Sequence, residues 1–89
     1  MKDLMEMFNY GMEVVEACGI ETGIITDVSI NTRAKKRFGQ CRYHHATGTY
    51  TINIARFILD DDINDKAVME TIIHEILHTV EGCMNHGKK

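Results

Sequence analysis

Residues 65 to 81, closed off by Gly82, are the stretch that most constrains this chain. Met69, Ile72, Ile73, Ile76, Leu77 and Val80 recur at helical spacing and mark one arc as the side facing a core. Thr71, His74, Glu75 and His78 fall on the opposite arc. A helix patterned this way needs an apolar layer under one side and leaves the other side to a cleft or to water. The remaining 72 or so residues must supply that layer.

Residues 3 to 18 read as an amphipathic helix, with Leu4, Met5, Phe8, Met12, Val15 and Cys18 at helical spacing and Gly19 as its stop. Ile24, Ile25, Val28 and Ile30 mark a first strand, and residues 37 to 43 and 49 to 58 a second and third. His44 to Gly48 form the polar turn between the last two. In the third strand Tyr50, Ile52, Ile54 and Arg56 face one side, and Thr49, Thr51, Asn53 and Ala55 the other. Asp60, Asp61, Asp62, Asn64 and Asp65 suit the positive end of the following helix. They lack the spacing and central glycine of an EF-hand.

The 89 residues make a single domain, residues 1–89, whose thin core invites support from a metal, a disulfide or a partner. A net charge of −3 gives no basic excess for holding a phosphate backbone. The local run Arg33, Lys35, Lys36 and Arg37 reads as a solvated strand edge or loop. Three cysteines, Cys18, Cys41 and Cys83, with no CxxC, speak against a disulfide framework and a zinc ribbon. No stretch approaches the roughly 18 apolar residues of a membrane span, and the start lacks a signal-like apolar run. A reducing cytoplasm is the expected setting.

His74-Glu75-Ile76-Leu77-His78 is an HExxH. On a helix, residues four apart share a face, so two imidazoles at this spacing can converge on one tetrahedral zinc. Glu75, one step round, is placed to take a proton from a zinc-bound water and pass it to a leaving amine. The plain alternative is a solvated helix face carrying two histidines. A third ligand is needed. The longer metzincin pattern fails, because Glu81 and Met84 stand where its glycine and third histidine belong. His86 and Cys83 remain, with His86 favoured.

His74-Glu75-Ile76-Leu77-His78 followed by His86-Gly87 resembles the SprT-like zinc metallopeptidases, whose pattern is HExxH, a variable spacer, then His-Gly. Arg37-Phe38-Gly39-Gln40-Cys41 is similar to that family's Arg-Trp-Gly-x-Cys block, and Gly48 to Ile58 to the strand before its active helix. The likeness covers residues 37 to 87. It implies an α+β, minimal zincin-like fold: an N-terminal helix, a three-stranded antiparallel sheet, then the HExxH helix. It implies zinc (Zn2+) on His74, His78 and His86, Glu75 as catalytic base, and a protein or peptide substrate. Nucleic acid enters by analogy alone, since the family's DNA-directed members use added segments that this chain does not show. Family members usually continue past His-Gly with an aromatic residue and another helix. The chain, stopping at Lys89, thus resembles a shortened or C-terminally truncated member.

His44 and His45 read as a solvated turn; Tyr43, Tyr50, His44 and Arg42 are the candidate oxyanion donors; Cys41 or Cys83 with a histidine is the nucleophilic alternative. Two rival functions stand beside the peptidase: a non-catalytic zinc module and a metal-free interaction domain.

Overall fold

A computed structural model of the chain describes residues 1–80. Helix α1 spans Leu4–Ala17, strand β1 Ile25–Asn31, β2 Gly39–His44, β3 Thr49–Ala55, and helix α2 Asp65–Leu77, with a 3-10 turn at Arg56–Leu59 between β3 and α2. The Asp3 side chain caps α1 by accepting from the Glu6 amide, and Gly19 ends it at φ +79°. Asn64 caps α2 by accepting from the Lys66 amide at 2.7 Å. The acidic cluster ties down the start of the chain: Asp61 pairs with the N-terminal ammonium and Asp65 with Lys2.

The sheet order is β1-β3-β2, with β2 antiparallel and β1 parallel to β3. The sheet is therefore mixed, which corrects the antiparallel expectation. The β2–β3 hairpin, turning at Gly48 with φ +70°, behaves as its turn residues dictate. The difference lies at β1. Strand β3 enters the middle, between β1 and β2, so the β1–β2 connection must cross two strand spacings of roughly 4.8 Å each. Residues 32–38 are long enough to do that over the end of β3. Strand β3 earns the centre by composition: Ile52, Ile54 and Ala55 are buried, more than in either neighbour.

Both helices cover one face of the sheet. Leu4, Phe8 and Val15 of α1, Ile52 and Ile54 of β3, Ile58 and Leu59 of the turn, and Val68, Ile72 and Ile76 of α2 form the core. The helices cross where Gly11 faces Ile72 and Ile76; a Cβ there would stand 3.3 Å from each. Strand β3 stops three residues short of its expected end, because Arg56–Leu59 coil into the 3-10 turn that buries Ile58 and Leu59. Helix α2 stops at Leu77, with His78 as its C-cap, rather than running on to 81.

Candidate metal centre

The last turn of α2 is fixed from outside. Thr79 donates its hydroxyl to the Ile76 carbonyl at 2.7 Å and accepts from the Gly23 amide at 3.0 Å. Gly23 has no room for a side chain: a Cβ would lie 2.9 Å from the Thr79 carbonyl oxygen and closer still to the Tyr50 ring. This clasp sets the position of His78, one residue earlier.

His74 and His78 converge. Their Nε2 atoms are 3.1 Å apart, and their rings meet edge to face with centroids 4.5 Å apart. Two nitrogens bonded to one tetrahedral zinc at about 2.0–2.1 Å would stand roughly 3.3–3.4 Å apart, so a few tenths of an ångström of ring rotation suffices. One ligand atom from each of His74, Glu75 and His78 lies within 4.8 Å of the others. The three residues form a group that could hold a metal ion. His86 and Cys83, the candidates for a third protein ligand, lie outside the described residues.

Glu75 departs from the sequence expectation. It does not share an open arc with the histidines but is only 6 % exposed. The buried residues of α2 and its last turn are Val68, Ile72, Glu75, Ile76 and Thr79, so Glu75 stands on the buried arc and the histidines at its margin. The cause is a second packing partner. Helix α2 lies against α1 and also against β2, and the helical wheel registered the apolar contact alone. Gly39 of β2 makes the room: a Cβ there would stand 3.1 Å from Glu75 Cγ and 3.2 Å from its Oε2. Phe38 holds that strand end in place, packing edge-on against Phe57 while its carbonyl accepts from the Ala55 amide.

Two clefts meet at Gly39, His74 and Glu75. One, of about 540 Å³, runs along Ala67, Glu70 and Thr71 and is bordered by Lys36 and Phe38. The other, of about 340 Å³, runs past Gln40, Cys41 and His78 and is bordered by Arg37. Burial, and secondarily the Glu75 carboxylate, pushes the Cys41 thiol up from 9.0 to about 11. That is the reverse of what a nucleophilic cysteine requires. None of the four proposed oxyanion donors lines either cleft. Tyr43 packs edge-on against His45 and at a tilt against Tyr50 in the hairpin, and His44 bonds to Thr51. Nothing in the sequence marks Gly39 and Gln40 as cleft residues, and Lys36 and Arg37, expected on a solvated edge or loop, border the clefts. Proximity between β2 and α2 has no signature within either segment.

No protein-family model, no curated protein and no solved structure matches this chain. No helix among the described residues is long and apolar enough to cross a membrane.

Proposed function

We propose that this chain is a zinc-dependent peptidase in which His74 and His78 hold the metal, with His86 as third ligand and Glu75 as general base. The observation that carries the reading is the placement of Glu75, buried between α2 and β2 within 4.8 Å of two converging imidazole nitrogens. A solvated helix face would leave that carboxylate in water. The likeness of residues 37 to 87 to the SprT-like metallopeptidases supports the same assignment.

Zinc, when bound, would acidify a water and polarise the substrate carbonyl. Glu75 accepts the water's proton as the water oxygen bonds to the peptide carbon. It then delivers that proton to the amide nitrogen as the carbon–nitrogen bond breaks. Among the described residues β2 is an edge strand beside the cleft, so an extended peptide can lie along it and pair with its outer backbone groups.

Zinc-loaded protein should cleave an unfolded protein substrate. Glu75→Gln should lower the rate at least roughly a hundredfold while zinc content stays at one per chain. Unchanged cleavage in that variant would remove Glu75 from the chemistry. Bound zinc without hydrolysis by the wild type would make the chain a non-catalytic zinc module instead.

A further inference from the structure

Six of the ten Lys and Arg of this chain are segregated in one stretch. Between Asp27 and Asp60 it carries Arg33, Lys35, Lys36, Arg37, Arg42 and Arg56 and not one Asp or Glu, so the rest of the chain is strongly acidic. Four of these cations sit on the β1–β2 loop, and all four are exposed. Ion pairs form away from this loop at Met1–Asp61 and Lys2–Asp65.

The loop ends at the candidate metal centre. Lys36 borders the cleft that leads away along the N-terminal half of α2, and Arg37 borders the cleft that leads past His78. The two clefts share Gly39, His74 and Glu75, so a chain crossing the centre meets a cation on each side. Among the described residues that line the two clefts, Glu70 is the one opposing carboxylate besides Glu75, and it stands on the Lys36 side.

We propose that the centre selects acidic polypeptide: Lys36 and Arg37 are specificity-determining residues that favour Asp and Glu on both sides of the scissile bond. This rests on the peptidase reading. A short acidic segment need reach no further than the cleft, whereas a long nucleic acid would run out over the acidic remainder of the surface. Opposite charges near a protein surface gain little each, but two acting together shift binding by roughly tenfold, and salt weakens the effect.

The test uses the full zinc-loaded chain and three fluorogenic peptides alike in length, with flanking Glu, Gln or Lys. The Glu peptide should be cleaved with kcat/KM roughly tenfold above the Gln peptide, an advantage that shrinks between low and high salt. The double variant Lys36→Glu, Arg37→Glu should invert the order in favour of the Lys peptide, an outcome that mere loss of structure cannot produce. Equal rates on all three peptides would overturn the selectivity and leave the peptidase standing. Cleavage of none, by protein carrying one zinc per chain, would overturn both. A single-stranded oligonucleotide that displaces the Glu peptide at lower concentration than a soluble Glu peptide does would assign the loop to nucleic acid and overturn the proposal.

Discussion

At the scale of single residues, the candidate site depends on a glycine as much as on its ionisable groups. Gly39 leaves the space that the Glu75 carboxylate fills. Gly39→Ala would put a methyl 3.1 Å from both Glu75 Cγ and Ile54 Cδ1, and the buried isoleucine has little freedom to move. Peptide hydrolysis should fall about tenfold or more and stability by about 1–2 kcal/mol, read from initial rates and a urea titration. Unaltered rates would mean that Glu75 is positioned by α2 alone. Cys41 offers a second probe of the same spot. With its thiol raised to about 11, alkylation of the metal-free protein should quicken about tenfold per pH unit from pH 8 to beyond 10, followed by peptide mass spectrometry. A plateau below pH 9 would contradict the burial that raises it. Because burial raises the thiol in the folded state, protonation of Cys41 contributes stability that is complete below pH 9 and lost as pH climbs through about 11.

At the scale of elements, two contacts hold the metal-bearing helix. The Gly23–Thr79–Ile76 hydrogen bonds fasten its end to the segment before β1. Thr79→Val keeps the shape but deletes both, and leaves the Gly23 amide without its partner. It should cost about 1–3 kcal/mol and loosen zinc binding, measured by calorimetry and by competition with a chromophoric chelator. Wild-type zinc affinity in that variant would show that the last turn holds its position without the clasp. At the other contact, Gly11 lets α1 approach Ile72 and Ile76. Gly11→Ala should change stability by under about 1 kcal/mol, because the gain in helix propensity offsets a tight fit. Gly11→Leu should destabilise by about 2 kcal/mol or more in the same unfolding assay.

At the scale of the whole molecule, one layer of two helices covers one face of a three-stranded sheet, and few side chains among the described residues are fully buried. A ligand that binds the folded state alone then has large leverage. Zinc at a hundred times its dissociation constant adds about 2.7 kcal/mol, or roughly 10–20 °C in Tm for a domain of this size. A chelator should lower Tm by that amount, and His74→Ala should abolish the difference between zinc-loaded and chelated protein. A Tm indifferent to both would dismiss the metal centre.

The sequence by itself determined the helices, the β2–β3 hairpin and the pairing of His74 with His78. All are local: helical spacing, a cap at Asn64, a turn at Gly48 and a four-residue interval along one helix. Tertiary structure alone decided the rest. The parallel placement of β1 follows from β3 entering the middle of the sheet, and alternation within a strand carries no word of its neighbours. The burial of Glu75 follows from β2 lying beside α2 with a glycine at the contact, and a helical wheel sorts apolar from polar without knowing that a carboxylate has been given a slot. Lys36 and Arg37, the end of a run that reads as an ordinary solvated loop, border the clefts because the chain must cross the end of β3 to reach β2.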